Sequence, residues 1–138
     1  MKVSRRRSGK GRQPRTEQAP VVAIVDDDAS VRQSMLRLIR SFGYSAEAFG
    51  SGDEFLRSPT AAETACLLLD VRMPSMDGLE VQRRLAEKDA EVPVVFITGQ
   101  ATDDEERCAR RAGAVDFLRK PVGRATLLDV LQNLTRRK

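Results

Sequence analysis

Short runs of consecutive apolar residues alternate along this chain with longer segments in which apolar residues recur every three or four positions. The short runs predict strands buried on both faces, and the longer segments predict amphipathic helices. From residue 21 onward the pattern predicts strands at 21–25, 44–49, 66–70, 93–97 and 114–118. Helices are predicted from a cap at Asp28 or Ser30 to the stop at Gly43, and at 51–57, 78–88, 102–112 and 123–136.

Five successive strand and helix pairs indicate one type of architecture. Strands that are apolar throughout suit a parallel sheet whose two faces are both covered by helices. A chain of 138 residues has room for one such domain and no second folded unit. The sequence therefore predicts a single α/β domain that extends from residue 20 to residue 138.

The first 19 residues differ from the rest of the chain. They carry seven basic residues and one acidic residue, a net charge of +6, which leaves −2 for the remainder of a chain whose net charge is +4. With almost no apolar residues they cannot form a core face, and we expect 1–19 to be a disordered basic tail. Such a tail has the charge to bind nucleic acid or an acidic partner, but it has no aromatic residues for base stacking, and a solvating extension is the simpler interpretation.

Composition excludes several classes of site and location. The chain contains no histidine, which excludes histidine triads, histidine metal ligands and phosphohistidine donors. Cys66 and Cys108 have no CxxC or zinc-site spacing and are predicted to be free thiols. No apolar run is long enough to cross a bilayer, so we expect a cytoplasmic protein without membrane contact.

Polar residues follow four of the predicted strands at the points where the strands end. Asp26 and Asp27 follow the first strand, Asp70 ends the third, and Thr98 and Lys120 follow the fourth and fifth. Because the carboxyl ends of parallel strands meet at one edge of a sheet, these residues are predicted to share a cleft. Carboxylates, a hydroxyl and an amine in one cleft suit phosphoryl chemistry.

The residue types indicate how that cleft would work. Two adjacent carboxylates such as Asp26 and Asp27 repel each other unless a cation neutralises them, and ligands that are all oxygen favour Mg²⁺. Asp70 beside such an ion can act as a nucleophile toward a phosphoryl group. Lys120 precedes Pro121 in a constrained turn that can hold a cis peptide bond, which would fix the direction of its ammonium group.

Asp70 begins the segment D-V-R-M-P-S-M-D-G at 70–78, which is the longest motif in the chain that resembles a known family. Together with the adjacent acids, the I-T-G strand end, the A-G-A-x-D-F approach and the K-P dipeptide, it makes residues 21–136 resemble the receiver domains of two-component response regulators. The sequence of these motifs is most similar to that of receivers of two-domain transcriptional regulators of the nitrogen-fixation type. This resemblance implies a flavodoxin-like (βα)5 fold, with a doubly wound, five-stranded parallel sheet.

The resemblance also implies a phosphorelay function. Asp70 would be the phosphoacceptor, supplied by a sensor histidine kinase or a phosphotransfer protein. Asp26, Asp27 and Asp70, with the backbone carbonyl of Arg72, would bind Mg²⁺. The expected product is an aspartyl phosphate, so the protein would be a signalling switch rather than a metabolic enzyme.

Further residues would report the phosphorylation. Thr98 and Lys120 would contact the phosphoryl oxygens, and Phe117 matches a family aromatic that turns inward as the threonine moves. The altered face would involve residues 102–136, whose mixed charges suit a homodimer or a docked partner. The resemblance leaves open whether the chain is a single-domain receiver or part of a longer regulator.

Two alternatives come from other classes. An aspartate-based phosphatase of the haloacid dehalogenase type would use Asp26 as its nucleophile. It needs an acidic pair after the lysine, whereas Asp129 is the only acid beyond Lys120, and it leaves Asp70 without a role. The other alternative is a nucleic-acid-binding adaptor that acts through the basic tail and retains only the scaffold of a receiver.

Overall fold

The computed structural model describes residues 20–135, which form one parallel sheet flanked by helices. The prediction of a disordered tail at 1–19 lies outside these residues. The five strands are β1 (Val21–Val25), β2 (Ser45–Phe49), β3 (Cys66–Leu69), β4 (Val94–Thr98) and β5 (Asp116–Arg119). The five α-helices are α1 (Ala29–Ser41), α2 (Gly52–Arg57), α3 (Gly78–Glu87), α4 (Asp103–Arg111) and α5 (Arg124–Thr135).

The strand order is β2-β1-β3-β4-β5, and every neighbouring pair is parallel. Alternate residues of each strand point to opposite faces of the sheet, which produces two apolar cores. On one face Val25 and Leu69 pack with residues of α2, α3 and α4. On the other face Ile24 and Leu68 pack with residues of α1 and α5. The predicted doubly wound α/β fold is confirmed.

Polar side chains begin the helices that start at the carboxyl edge of the sheet. Asp28, rather than Ser30, caps α1, because its carboxylate accepts hydrogen bonds from the backbone N–H groups of Ser30 and Val31. Asp77 caps α3 through the backbone N–H of Glu80. These caps fix the direction in which the chain leaves β1 and the loop after β3.

The predicted fifth strand at 114–118 is wrong by two residues, since β5 spans Asp116–Arg119. Gly113 has a φ of +105°, and the N–H of Ala114 donates to the carbonyl of Ala109, so residue 114 still belongs to the end of α4. At the other end Arg119 pairs with Thr98. The apolar pattern therefore began this strand two residues too early and missed the charged residue Arg119 at its end.

Smaller differences occur elsewhere. The structure has a 3-10 helix at Ala61–Glu63, which the sequence pattern did not predict. The strand predicted at 93–97 spans Val94–Thr98, and the strand predicted at 66–70 ends at Leu69, so Asp70 is the first residue beyond it. None of the helices between residues 20 and 135 combines the length and the apolar character that a membrane crossing requires.

Candidate functional site

Asp26 and Asp70 lie side by side because they follow two neighbouring strands. Val25 of β1 pairs with Leu69 of β3, so the residue after each strand emerges at the same edge of the sheet. Both aspartates are buried, with 4% and 7% of their surface exposed. Asp27 is exposed, and ligand oxygens of the three aspartates lie within 4.8 Å of one another. The structure thus brings together the three carboxylates that the sequence placed in one cleft.

Lys120 supplies the positive charge at this cluster. Its Nζ lies 2.9 Å from Asp26 Oδ2 and 3.1 Å from Asp70 Oδ2. Burial by itself lowers the pKa of Lys120, but the hydrogen bonds to Asp26 and Asp70 outweigh it, so its pKa lies above the ordinary value. The amine is therefore a fixed ammonium ion that bridges two carboxylates. Its peptide bond to Pro121 is cis.

Backbone donors hold the other carboxylate oxygens. Asp26 Oδ1 accepts the N–H of Asp28 at 2.9 Å, and Asp70 Oδ1 accepts the N–H of Arg72 at 3.2 Å. The guanidinium of Arg32, a residue that the sequence did not single out, donates to the backbone carbonyl of Asp26 at 2.8 Å. Each buried aspartate is held by hydrogen bonds on two sides, which meets the requirement for burying a carboxylate.

Gly78 allows α3 to begin directly against the loop that carries Asp70. A Cβ atom at this position would lie 2.3 Å from the backbone oxygen of Asp70 and 2.9 Å from the ring of Phe96. The first neighbour is a backbone atom and the second belongs to a fully buried ring, so neither gives way easily. The glycine of the M-D-G segment therefore has a steric role in positioning Asp70.

Thr98 is fully buried at the end of β4. Its hydroxyl donates to the backbone carbonyl of Gln100 at 3.0 Å and accepts the N–H of the same residue at 3.3 Å. The backbone carbonyl of Thr98 accepts the N–H of Lys120 at 2.9 Å, which ties the two strand ends together. Thr98 is at the predicted edge, but its hydroxyl proton is used within its own loop.

Phe117 is buried, with 6% of its surface exposed. Its ring packs against Phe96 at a centroid distance of 5.6 Å, and the guanidinium of Arg119 lies 5.5 Å from its centroid. This is the inward position that the family resemblance associates with a moved threonine. Here it occurs while Thr98 is still hydrogen-bonded to Gln100.

Two arginines beside the cluster direct their side chains toward α4. Arg72, whose backbone carbonyl is an expected Mg²⁺ ligand, forms a two-pronged ion pair with Glu105. Arg119 donates to the carbonyl of Ala101 at 2.9 Å and to Glu106 at 3.1 Å. Sequence reasoning placed Glu105 and Glu106 on a charged face without identifying these partners. Their position in the first turn of α4 signals only a favourable interaction with the helix dipole.

The donor set fits a hard divalent cation. Asp26, Asp27 and Asp70 offer carboxylate oxygens only, and such ligands suit Mg²⁺ better than softer metals. Two of the carboxylates are buried and the third is open to solvent, so one side of the cluster is reachable from outside. The sequence-based prediction of a Mg²⁺ site therefore agrees with the chemistry of the residues that converge here.

The residues that a dehalogenase-type phosphatase needs are arranged differently. Asp28, the second acid of the D-x-D motif, is the cap of α1. Asp129, the only acid after Lys120, is an exposed residue of α5. The carboxylates that converge with Asp26 are those of Asp27 and Asp70. This geometry disfavours the phosphatase alternative.

Comparison with known proteins gives a consistent result. Residues 22–132 match the family model described as the response regulator receiver domain. The chain is 41% identical over 122 residues to the response regulator protein TmoT of Ectopseudomonas mendocina, covering 88% of this chain and 56% of TmoT. It is 40% identical over 129 residues to nodulation protein W of Bradyrhizobium diazoefficiens, covering 94% and 57%.

A solved structure extends the comparison to the fold. The response regulator receiver protein of Burkholderia phymatum is 42% identical, with a TM-score of 0.72, and the match covers 83% of this chain and 94% of that chain. The two curated relatives are longer, and the chain spans slightly more than half of their length.

Proposed function

The chain belongs to the response regulator receiver family of two-component systems, and we propose that Asp70 is its phosphoacceptor. The observation that carries this proposal is the convergence of Asp70 with Asp26 and Asp27, bridged on the buried side by Lys120. A phosphohistidine of a sensor histidine kinase or phosphotransfer protein would be the donor. The family is one of signalling switches, and the product would be a phosphoprotein rather than a released metabolite.

The proposed transfer needs a nucleophile and charge neutralisation more than elaborate covalent machinery. A carboxylate oxygen of Asp70 attacks the phosphorus atom, and an O–P bond forms as the P–N bond to the donor histidine breaks. The freed imidazole nitrogen then takes up a proton. Lys120 lies 3.1 Å from Asp70, and in this proposal its ammonium group would bind an oxygen of the transferred group.

Asp26, Asp27, Asp70 and the backbone carbonyl of Arg72 would hold Mg²⁺. The ion would supply positive charge that offsets the repulsion between the carboxylates and the incoming phosphoryl group. Asp27 is the exposed member of the three, so it is the ligand that an arriving ion would meet from solvent. In this proposal Asp26 and Asp27 bind the ion, and Asp70 is both a ligand and the phosphoacceptor.

Thr98 would bind the product once Asp70 is phosphorylated. Its hydroxyl would leave the Gln100 carbonyl and donate to a phosphoryl oxygen, because it has only one proton to give. The loop after β4 and helix α4 would then adjust. This change would alter the face formed by residues 102–136 and its affinity for a second copy or a downstream partner.

The relatives indicate the setting in which such a switch would act. Because both relatives are nearly twice as long as the matched region, the receiver would control a further output domain or an equivalent partner, as the description of TmoT as a response regulator suggests. We place this signalling in the cytoplasm, where a kinase could deliver the phosphoryl group to the open side of the cleft.

The test is phosphorylation by acetyl phosphate with and without Mg²⁺, followed by intact-mass spectrometry and localisation of the acyl phosphate by borohydride reduction. We expect Mg²⁺-dependent addition of one phosphoryl group at Asp70 and none in Asp70→Asn. Asp28→Asn is the matched control, because asparagine also caps helices and the charge is lost from the same edge. Labelling at Asp26 with hydrolysis of phosphate esters would instead support the phosphatase.

A further inference from the structure

Helix α4 has little apolar attachment to the rest of the protein. Its nine residues, DDEERCARR, include one that is buried, Ala109. The buried side chain of Gln82 donates to the carbonyl of Ala109 at 3.0 Å, which fixes one point near the carboxyl end of the helix. Because apolar burial is the usual reason that a helix stays docked, the amino-terminal half of α4 must be held by other contacts.

Three ion pairs with other elements hold that half, and the longest of them joins Arg119 to Asp103 at 3.7 Å. Arg72, two residues after Asp70, contacts the two carboxylate oxygens of Glu105 at 2.7 and 2.8 Å. Arg119, the residue before Lys120, donates to Glu106 at 3.1 Å. The first turn of α4 is thus tethered at adjacent glutamates, once to the loop that carries the phosphoacceptor and once to β5.

These glutamates differ from the other acids of the turn. The side chains of Glu105 and Glu106 are 22% and 29% exposed, whereas Asp104, which pairs with Arg107 inside α4, is 86% exposed. A two-pronged pair with a half-sheltered carboxylate stabilises more than an average surface ion pair. Hydrogen bonds lower the pKa of both glutamates. Glu105 accepts them from the backbone of Thr102 and from Arg72, and Glu106 accepts them from Arg119 and Arg110.

The same contacts restrain the loop between β4 and α4, to which the Thr98 hydroxyl is hydrogen-bonded. Thr98 donates to Gln100, Arg119 donates to the carbonyl of Ala101, and the Thr102 side chain and backbone exchange hydrogen bonds with Glu105. If the Thr98 hydroxyl turns to a phosphoryl group, the Gln100 carbonyl loses its donor and the loop must rearrange. Every residue of that loop after Gln100 is tied to an arginine or to the first turn of α4.

We propose that Glu105 and Glu106, with Arg72 and Arg119, form an electrostatic latch that holds α4 and its preceding loop in the unphosphorylated arrangement. This inference rests on the proposed phosphorylation of Asp70, and it identifies the contacts that oppose the accompanying rearrangement. Since the latch is made in one arrangement and must loosen in the other, its strength sets part of the cost of switching. Weakening it should make phosphorylation easier and α4 more mobile.

The experiment compares Glu105→Gln, Glu106→Gln and the double variant with the wild-type chain. Glutamine keeps the volume and can still accept the backbone hydrogen bond of the capping box, so the helix start is preserved while the ion pair is lost. Asp104→Asn is the matched control, because it removes an acid and an ion pair from the same turn but no contact between elements. Hydrogen exchange over residues 99–111 and the initial rate of phosphorylation by acetyl phosphate are measured for each.

We expect each glutamine variant to raise two rates by roughly fivefold: hydrogen exchange over residues 99–111 in the unphosphorylated protein, and phosphorylation. A change of this size corresponds to the loss of a favourable ion pair. Asp104→Asn should change neither rate. If the glutamine variants behave like Asp104→Asn in both measurements, the latch is wrong. If the wild-type chain is not phosphorylated at Asp70, the proposed function fails, and the exchange data alone then decide whether these residues hold α4.

Discussion

The Thr98 hydroxyl donates its proton to the backbone carbonyl of Gln100 at a distance of 3.0 Å. A hydroxyl has a single proton, so this bond and a bond from Thr98 to a phosphoryl oxygen exclude each other. In the unphosphorylated protein the Thr98 hydroxyl is thus hydrogen-bonded to the loop that precedes α4. Any group on Asp70 that captures the donor must disturb this loop, which gives the switch a defined starting point.

Replacing Thr98 separates phosphorylation from the response to it. In Thr98→Val the sheet is kept, because valine has nearly the shape of threonine, but the hydrogen bonds to Gln100 are absent before phosphorylation. We expect phosphorylation at Asp70 to continue, while the change in hydrogen exchange over residues 99–111 on phosphorylation is lost. Thr98→Ser, which retains the hydroxyl, should recover most of that change; a full response in the valine variant would rule out the role of Thr98.

Magnesium should stabilise the fold through Asp27. An ion present at a hundredfold excess over its Kd raises the free energy of unfolding by about 2.7 kcal/mol. In Asp27→Asn we expect this increase to shrink or disappear, while the free energy of unfolding without Mg²⁺ does not fall, because Asp27 is exposed and its charge repels those of Asp26 and Asp70. Urea denaturation with and without Mg²⁺ measures both quantities. Partly exposed Asp53, which pairs with Arg57 in α2, provides the control variant Asp53→Asn, and equal Mg²⁺ stabilisation in both variants would count against the site.

Lys120 should stabilise the fold without any ligand. Lys120→Met leaves two buried carboxylates, Asp26 and Asp70, without their bridging cation, and we expect a loss of about 1–3 kcal/mol in the free energy of unfolding. Adding Asp70→Asn to this variant removes one of the repelling charges and should restore part of the loss. Denaturation of the two single variants and the double variant tests the coupling, and additive effects would contradict it.

The pH dependence of this contribution follows from the raised pKa of Lys120. A lysine whose pKa is higher in the folded state stabilises it fully below the unfolded pKa, about 10.4. The stabilisation is lost as the pH rises through the raised folded value. The difference in free energy of unfolding between wild type and Lys120→Met should therefore be constant at neutral pH and narrow above about pH 10.4. A difference that already narrows below pH 9 would show that the ammonium group is not held as described.

Gly78→Ala should damage the fold and the site together. The added methyl group would meet the Asp70 carbonyl at 2.3 Å and the Phe96 ring at 2.9 Å, so the start of α3 must move away from β3. We expect a loss of about 1–3 kcal/mol in the free energy of unfolding and slower phosphorylation of the folded fraction. Gly123→Ala is a suitable control, because its Cβ would have its nearest neighbour 4.0 Å away. Equal stability of the two variants would contradict the steric role of Gly78.

The two cysteines should react at very different rates. Burial raises the pKa of Cys66 to about 12, whereas Cys108 is exposed on α4. We expect iodoacetamide to modify Cys108 in the native protein and both thiols after unfolding, because the thiolate is the reactive form. Peptide mass spectrometry over time measures the two rates. Modification of Cys66 in the native protein at the rate of Cys108 would mean that β3 is open to solvent.

The sheet and its site edge could be predicted because they depend on regular patterns. Apolar runs locate β1, β3 and β4, and the common direction of parallel strands brings Asp26, Asp70 and Lys120 together wherever the intervening helices lie. The ends of β5 could not be predicted from apolar content, since Asp116 and Arg119 belong to the strand while Ala114 completes the end of α4.

The contacts of long side chains were beyond the sequence for another reason. Arg72 and Glu105 are 33 residues apart, and their pairing depends on rotamers and on the exact height of α4 above the sheet. The sequence is equally compatible with an Arg32 side chain in solvent and with the observed hydrogen bond to the carbonyl of Asp26. The direction of the Thr98 hydroxyl is likewise set by a local turn, which no periodicity encodes.

The order of the strands has a consequence for assembly. The two edges of the sheet are β2 and β5, and these are the strands that carry charges, with Glu47 exposed on β2 and Asp116 and Arg119 at the ends of β5. The three inner strands carry none. Charged edges discourage another chain from adding a strand, so aggregation by sheet extension is disfavoured. The homodimer that the sequence analysis expects would therefore use helical surfaces rather than the edges of the sheet.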